Sequence, residues 1–539
     1  MTGEPPPGEA PPDRSARSAR SGLVRAGVIL SATFLISRAL GYLRTVVLGA
    51  TFGAGPELDA FFAAFRVPDL IFQLVAAGAM GSALIPVLTG LMASGERAHA
   101  WRVVATLANL LLAAMSVLAV AAFIGAPLLV RALAPGFDEA ALARTTDLTR
   151  IMLAAPVLLS LGSIATAALN AEGRFTAAAI APIVYNIAII AAAAVLGPTI
   201  GVTALAWGVV AGALGHVLIQ LPALLGLGFR PTIGIDLADR AARRVLGLLA
   251  PRALGLGASQ FTFIVMTALA SSLGEGAISS FTIAFALLQI PVGVLGVPLG
   301  VVIFPSISRE HALGATAAYV GMVTRAVRLI IFAMIPIAAL GIVLRAPVVE
   351  LLFGYGKFDV ASIERTAATL ALFLLGLPAH ASIAVLARAF YARQDTRTPV
   401  AAAVLAVAVN TILGVLLVGP LGLPGLALAI ATAAWIEAAM LLVALGRRVP
   451  TFELPAILRV LGESIAAAVA AALVAMLVAN ALGGLLEPGS PKTSILAGAV
   501  VATLCGGAVY LGVAVALRIP ELPSIVGLVT AQIRRRRGP

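Results

Sequence analysis

Apolar stretches follow one another from residue 24 to residue 517, with short polar or glycine-rich segments between them. Each is long enough to cross roughly 30 Å of hydrocarbon as a helix, which needs about 20 residues. The stretches are continuously apolar rather than alternating, so a transmembrane barrel is not favoured. The pattern predicts an all-α polytopic membrane protein with about fourteen transmembrane helices. The expected extents are 24–51, 58–93, 101–133, 140–171, 175–196, 201–228, 242–273, 277–308, 315–353, 360–391, 398–418, 425–446, 456–482 and 493–517.

Several of these expected spans are longer than 30 residues, so tilt, bending or projection beyond the membrane is expected. Gly41, Pro68 and Pro291 are candidate break points inside spans, because glycine and proline weaken or interrupt a helix.

Basic residues gather in every second connecting segment. The members of this set are Arg97, Arg102, Arg174, Arg230, Arg240, Arg243, Arg244, Arg309, Arg393, Arg397, Arg447 and Arg448. Both ends of the chain join the set, through Arg14, Arg17 and Arg20 and through Arg534 to Arg537. Since cytoplasmic segments carry the excess of basic residues, we expect a plasma-membrane protein with an even number of spans and both termini in the cytoplasm.

An internal repeat is visible at an offset of 221 residues. Phe137-Asp138-x5-Arg144-Thr145 recurs as Phe358-Asp359-x5-Arg365-Thr366. The two copies lie six expected spans apart, so they have the same orientation in the membrane. This predicts two six-helix lobes related by an axis along the membrane normal, followed by two further helices.

The repeat and the composition together suggest five regions. They are a disordered cytoplasmic tail (1–22), an N-terminal lobe (23–230), a C-terminal lobe (231–450), a final helix pair (451–519) and a basic cytoplasmic tail (520–539).

Composition excludes several classes of function. The 539-residue chain is 61% hydrophobic and 11% charged, and its net charge of +12 is spread between apolar runs, which does not suit nucleic-acid binding. Cys505 is the only cysteine, so neither an internal disulfide nor a cysteine metal site is possible. No phosphate-binding loop, nucleophile or acid–base pair stands out, so we expect a transporter rather than an enzyme, with no cofactor.

Two arginines inside an apolar segment are the main candidates for function. Arg38 and Arg44 lie six residues apart with Gly41 between them. A central arginine costs roughly 2.5–3.5 kcal/mol on membrane-insertion scales, so such residues usually face a wet cavity. On a straight helix the two side chains point about 120° apart, and a kink at Gly41 would bring both toward one cavity. Arginine binds phosphate through its forked donors, so an anionic substrate is indicated.

Other polar residues in the apolar segments are weaker candidates. Asp59 and Arg66 follow in the next span, and Arg66 lies three residues from Asp69, where the two could pair. Helix–helix hydrogen bonding is the favoured role of the amides in these segments. Of these amides, Asn410 and Gln260 have the oxygens that could help to coordinate sodium.

Several motifs resemble the MurJ/MviN family of lipid II flippases, in the MOP exporter superfamily, over residues 24 to about 517. They are Ser37-Arg38-x2-Gly41-x2-Arg44, Phe52-Gly53-Ala54-Gly55, Asp59-Ala60-Phe61-Phe62, Gly293-Val294-Leu295-Gly296-Val297, Tyr355-Gly356-Lys357-Phe358 and Phe390-Tyr391-Ala392-Arg393-Gln394-Asp395-x2-Thr398-Pro399. The last is the most specific of them.

The resemblance implies fourteen helices, a groove for a lipid tail along the final pair (451–519), and an undecaprenyl-pyrophosphate-linked peptidoglycan precursor as substrate. It also implies that Arg38 and Arg44 face a central cavity and contact the pyrophosphate. This chain departs from the family pattern at four positions that are usually charged, which are occupied here by Thr45, Phe72, Ala286 and Gln289.

The expected function is therefore a flippase that moves lipid II to the outer leaflet by alternating access. Arg38, Arg44, Arg66 and Asp59 form the expected substrate-binding set. Two alternatives stay open: a flippase for another polyprenyl-linked saccharide, and a degenerate flippase that serves as a scaffold for cell-wall synthesis enzymes. Membrane lipids are expected partners and nucleic acid is not.

Overall fold

A computed structural model describes residues 33, 35–75, 79–449, 451–487 and 489–523. All regular structure within these ranges is helical, which confirms the all-α class. The predicted tail 1–22 and residues 524–539 of the predicted basic tail lie outside the described residues.

The helices up to residue 226 form the first half of the chain. They are α1 (35–52), α2 (Pro56–Val75), α3 (Ala79–Ala93), α4 (Arg97–Leu133), α5 (Glu139–Met152), α6 (Ala154–Ala171), α7 (Phe175–Ala191), α8 (Gly197–Ile200), α9 (Thr203–Leu218) and α10 (Leu221–Gly226). A π-helical turn, Ala192–Leu196, joins α7 to α8.

The second half and the final pair begin at residue 240. Their helices are α11 (Arg240–Ser271), α12 (Ala277–Pro291), α13 (Val297–Ala312), α14 (Thr316–Val343), α15 (Arg345–Phe353), α16 (Val360–Leu375), α17 (Leu377–Ala392), α18 (Arg397–Arg448), α19 (Leu454–Leu482) and α20 (Lys492–Ala516). A second π-helical turn, Val292–Gly296, joins α12 to α13.

The number of spans is only partly established. Within the described residues, nine helices are long and apolar enough to cross a membrane, or ten if α16 and α17, which meet at 46°, form one span. The predicted total of fourteen is not confirmed by this count. The count takes α18 as a single helix, although Gly422 within it has a non-helical conformation (φ 60°, ψ −138°). The carbonyl of Leu417 lies against Gly425, so the chain turns sharply between the expected spans 398–418 and 425–446.

The three expected break points behave differently. Helix α1 runs without interruption through Gly41, and α2 runs through Pro68. Pro291 ends α12 and precedes the π-helical turn. An unbroken helix at Gly41 and Pro68 keeps nearly all backbone groups bonded within the segment, which hydrocarbon surroundings require.

Small residues allow the helices of the first half to pack closely. Gly208 and Gly212 lie one turn apart on α9 and face α7. A Cβ on Gly208 would lie 2.7 Å from the Cβ of Ala192, and one on Gly212 would lie 2.8 Å from the carbonyl oxygen of Tyr185. Because lipid is as apolar as these side chains, association depends on such close packing rather than on the hydrophobic effect.

Three apolar clusters hold the bundle together. Two of them are formed mainly by the first half, and one large cluster fills the second half and continues to α19 and α20. Phe281 and Phe373 pack at 5.2 Å in this large cluster, and Tyr319 is fully buried there. The Tyr319 hydroxyl donates to the carbonyl of Ala389 at 2.8 Å, so its polar end is also bonded.

The most specific sequence motif has a structural role in this fold. Asp395 accepts hydrogen bonds from the backbone of Arg397 (3.0 Å) and from the backbone (3.1 Å) and hydroxyl (2.6 Å) of Thr398, and it pairs with Arg448. Partial burial opposes ionisation, but the Thr398 hydrogen bonds and Arg448 outweigh it and lower the pKa of Asp395 to about 2. The carboxylate therefore caps the start of α18 and also binds Arg448, the last residue of the same helix.

Candidate functional site

The two halves meet at one end of the bundle, which we call the closed end. Backbone N–H groups donate hydrogen bonds from one half to the other there. Lys357 donates its backbone N–H to the carbonyl of Ala50 at 2.8 Å, and Gly136 donates its own to the Ser271 hydroxyl at 3.0 Å. These hydrogen bonds join corresponding positions, because the repeat offset of 221 residues carries position 50 to 271 and position 136 to 357. The acceptor is a backbone carbonyl at Ala50 and a side-chain hydroxyl at Ser271. The sequence repeat therefore corresponds to a pair of related contacts between the two halves.

Glycine is required where the two backbones touch at this end. Gly276 has φ +78°, and a Cβ there would collide with the Ala54 carbonyl. Gly356 has φ +60°, and a Cβ there would collide with the Ala50 carbonyl. Both positions combine a left-handed conformation with a close approach, and glycine meets both demands without strain.

Asp59 locks the closed end from inside. It is 1% exposed, and its carboxylate accepts from the Gly276 backbone (2.6 Å), the Ser279 backbone (2.7 Å) and the Ser279 hydroxyl (2.5 Å). Both oxygens are thereby used at the start of α12, where backbone donors and the helix dipole favour a carboxylate. This geometry gives Asp59 a role in joining α2 to α12, and we leave it out of the substrate-binding set.

A polar seam continues from the closed end along α2 and α11. Arg66 donates from Nε to the Thr267 hydroxyl at 3.2 Å and lies 5.1 Å from the centre of the Phe263 ring. Asp69 accepts from the Gln260 amide at 2.8 Å. Arg66 and Asp69 attract each other electrostatically, as the sequence suggests, and each is also hydrogen-bonded to the opposite half.

Arg38 of α1 also contacts the second half, farther from the closed end than Arg66 and Asp59 do along the bundle. A Cβ on Gly293 would lie 2.5 Å from Nη2 and 2.6 Å from Cζ of Arg38, so the guanidinium lies directly against this glycine. Gly293 belongs to the π-helical turn Val292–Gly296. Arg38 lies 12 residues before Ala50, or about 18 Å along α1 from the closed end. The contact is therefore deep within the bundle.

Arg44 stays within the first half. It lines a cavity of about 40 Å³ together with Thr45, Phe61 and Phe65. It is also near enough to Tyr185 of α7 to act on that hydroxyl electrostatically. Along the uninterrupted α1, Arg38 and Arg44 thus contact different halves.

The four positions where the family pattern has charge are neutral here. Thr45 donates its hydroxyl to the Gly41 carbonyl at 3.2 Å, within its own helix. Phe72, Ala286 and Gln289 are half-buried.

Another cavity lies within the second half. It has a volume of about 250 Å³, and its walls include His380, Asn410 and Glu437. His380 Nε2 and Asn410 Oδ1 are buried without a hydrogen-bond partner among the described residues. Gln260, the other amide suggested for sodium, donates its Nε2 to Asp69 at 2.8 Å.

Sequence reasoning identified the arginines but missed their contacts. The approach of Gly293 to Arg38 joins residues more than 250 positions apart, so no local spacing reveals it. The glycine-rich motif at 293–297 was the available signal, and its use as a space for a guanidinium became visible only in the fold.

The sequence was compared with known families and curated proteins. It matches the family described as "Lipid II flippase MurJ" over residues 48–489. A lipid II flippase MurJ of Burkholderia cenocepacia is 33% identical over 455 residues, which cover 83% of this chain and 88% of that protein. A probable lipid II flippase MurJ of Rhizobium tropici is 34% identical over 441 residues, which cover 79% of this chain and 81% of that protein.

The fold is also similar to solved transporter structures. One is described as the inward closed conformation of lipid II flippase MurJ; it has a TM-score of 0.75 and 22% identity, and the match covers 91% of this chain and 99% of that one. Another is an inward-facing multidrug resistance MATE family transporter of the MOP superfamily, with a TM-score of 0.64, 17% identity, and coverage of 79% and 99%. At these identities the likeness shows the shared fold.

Gly276→Ala is expected to open the closed end. The added Cβ collides with Ala54, and the left-handed conformation adds about 1–3 kcal/mol of strain, so the closed form loses stability. The reactivity of a cysteine at the buried position of Ala60 toward a maleimide, in a Cys505→Ala protein in nanodiscs, measures opening.

Gly55→Ala is the matched control for this substitution. Gly55 occupies the corresponding position in the first repeat, and a Cβ there meets nothing within 4 Å. Labelling should rise several-fold with Gly276→Ala and stay unchanged with Gly55→Ala. Equal labelling in both variants would contradict the assignment of the closed end.

Proposed function

We propose that this chain, which belongs to the lipid II flippase MurJ family, moves lipid II across the inner membrane, in which it is a multi-pass protein. Lipid II is the polyprenyl-pyrophosphate-linked precursor of peptidoglycan. The family match over residues 48–489 carries this conclusion, and the arginines within the helix bundle supply the cations that an anionic headgroup needs.

Arg38, Arg44 and Arg66 are the residues that we propose to hold the pyrophosphate. Arg38 and Arg66 already contact the opposite half through Gly293 and Thr267, so both are within reach of a ligand between the halves. A phosphate offers a guanidinium charge and paired acceptors, whereas the Thr267 hydroxyl offers Arg66 a single neutral acceptor. Substrate would therefore compete with the contacts that hold the halves together.

Alternating access follows from this competition. We place both termini in the cytoplasm, which makes the closed end the external side of the bundle. Residues 23–230 and 231–450 would then rock against each other as two lobes. The headgroup enters from the cytoplasm, the bonds of Asp59 and the paired backbone contacts break, and the headgroup leaves on the outside.

The lipid tail needs an apolar path, and we propose that residues 451–519 provide part of it. An apolar groove of about 370 Å³ lies between the second half and α19. Its walls include Ile342, Leu375, Trp435, Ile465 and Val469. A polyprenyl chain could remain in such surroundings while the headgroup crosses.

The membrane potential is a sufficient source of energy for this step. When the inside of the membrane is negative, moving a negative charge outward is favourable by roughly 2.3 kcal/mol per charge per 100 mV. A pyrophosphate carries more than one negative charge, so hydrolysis of ATP is not needed.

The two alternatives raised by the sequence are not favoured, because both the family and its named relatives are lipid II flippases. Contact with cell-wall synthesis enzymes stays a prediction of the sequence alone.

Expression of the protein in a cell depleted of its own lipid II flippase tests the proposed function. The wild-type chain should restore growth, and Arg38→Ala combined with Arg44→Ala should abolish the rescue, because the pyrophosphate loses two of its cations. Arg131→Ala is the control, since Arg131 is exposed and pairs with Glu139 at the end of α4. Rescue by the double variant at normal protein levels would contradict the arginine clamp.

Gly293→Ala tests the position of Arg38. The added methyl would displace the guanidinium, so the purified variant should retain several-fold less lipid substrate by native mass spectrometry. Gly41→Ala is the control, because a Cβ at Gly41 meets nothing within 4 Å. In an Arg38→Ala background, Gly293→Ala should have no further effect, and an additive loss would show that Gly293 acts independently of Arg38.

A further inference from the structure

The segment that joins the two halves carries an unusual row of exposed apolar side chains. Residues 229–236, between α10 and α11, form no helix. Ile233 is 106% exposed, and Ile235 and Leu237 are 46% and 52% exposed. Ile233 and Ile235 are separated only by Gly234, so the two exposed side chains are close neighbours along the segment.

This exposure is maintained by defined contacts rather than by a loose loop. Asn109 of α4 donates to the carbonyls of both Thr232 and Gly234, at 2.6 and 2.9 Å. These bonds hold the backbone on either side of Ile233 against α4 and leave its side chain pointing away from the protein. Further along, the carboxylate of Asp239 lies 2.5 Å from Nε2 of His99.

Its position along α4 puts the anchored segment at the expected depth of the lipid headgroups. Arg131, which pairs with Glu139 at 2.8 Å, marks the polar end of α4. A helix needs roughly 20 residues to cross the hydrocarbon core, so the opposite boundary falls near Leu111. Asn109 lies just beyond that boundary, and Ile233 beside it therefore borders the core.

The charge around the row is positive. Arg230, Arg240, Arg243 and Arg244 are all exposed. Arg240 and Arg244 have no hydrogen bond or ion pair to any described residue. The one carboxylate within the row, that of Asp236, accepts the backbone N–H groups of Ala238 and Asp239 at 3.0 and 3.2 Å.

We propose that this linker is a membrane-surface anchor that inserts Ile233 and Ile235 into the leaflet and binds anionic lipid headgroups through its arginines. Apolar side chains with flanking arginines at this depth have the chemistry of an interfacial lipid-binding segment. The anchor would hold the joint between the halves at a fixed depth. The inference does not depend on which lipid is transported.

Site-directed fluorescence in vesicles tests the anchor. A single cysteine at position 233, in a Cys505→Ala protein, is labelled with an environment-sensitive NBD probe. The vesicles consist of phosphatidylcholine alone or of equal parts phosphatidylcholine and phosphatidylglycerol. A probe at Ser94 is the control, because Ser94 is exposed in the turn before α4, and α4 begins about 18 Å beyond Asn109.

In the mixed vesicles, the probe at 233 should be quenched by lipid that carries a shallow nitroxide and be shielded several-fold from aqueous iodide compared with the probe at 94. Arg240→Gln combined with Arg244→Gln should remove the dependence on phosphatidylglycerol without changing thermal stability. Equal access of iodide to both probes would overturn the proposal. Shielding from both quenchers would also overturn it, by showing that protein covers the segment. Insertion that does not depend on phosphatidylglycerol would remove the role of the arginines.

Discussion

Polar groups inside a bilayer need partners, and in this protein most of the partners for the first two helices lie in the opposite half. Asp59 is bonded to the start of α12, Arg66 and Asp69 are bonded to α11, and Arg38 lies against Gly293. An unbonded polar group in hydrocarbon costs several kcal/mol, so these contacts stabilise the closed arrangement strongly. The closed arrangement is also reversible, because water or a polar ligand between the halves can replace each of these partners.

The closed end adds a second constraint, which is geometric. Backbone N–H groups 221 positions apart, those of Gly136 and Lys357, each donate to the opposite half, and glycines allow the backbones to touch. A pair of corresponding contacts can break together when two rigid bodies rock. One asymmetry between the halves is Asp59, whose counterpart in the repeat is Ser280. The Ser280 hydroxyl is buried without a hydrogen-bond partner in the described part of the chain, so the carboxylate that locks the closed end comes from the first half.

Much of this architecture could be read from the chain before its structure was known. Apolar length established the all-α membrane fold, and the Phe-Asp-Arg-Thr spacing pointed to a repeat whose contacts are found at the closed end. The role of Asp59 could not be predicted in the same way, because a carboxylate near a membrane arginine suits a substrate site and a helix lock equally well. Only the hydrogen bonds that the Asp59 carboxylate accepts from Gly276 and Ser279 distinguish these two roles. Gly293 belongs to a motif visible in the sequence, but its contact with Arg38 could not be predicted, because that contact depends on how the two halves pack. The number of spans stays a prediction, although the bend at Gly422 lies between the expected spans 398–418 and 425–446.

The central claim is that transport requires the two halves to separate at the closed end. A cysteine pair at Ala50 and Lys357, in a Cys505→Ala protein, tests it directly, because the Lys357 backbone N–H lies 2.8 Å from the Ala50 carbonyl. Translocation of lipid II is measured in proteoliposomes before and after oxidation. The account predicts that a disulfide stops transport and that a reductant restores it, with neither effect in the single-cysteine proteins. Undiminished transport by the fully cross-linked protein would contradict the account.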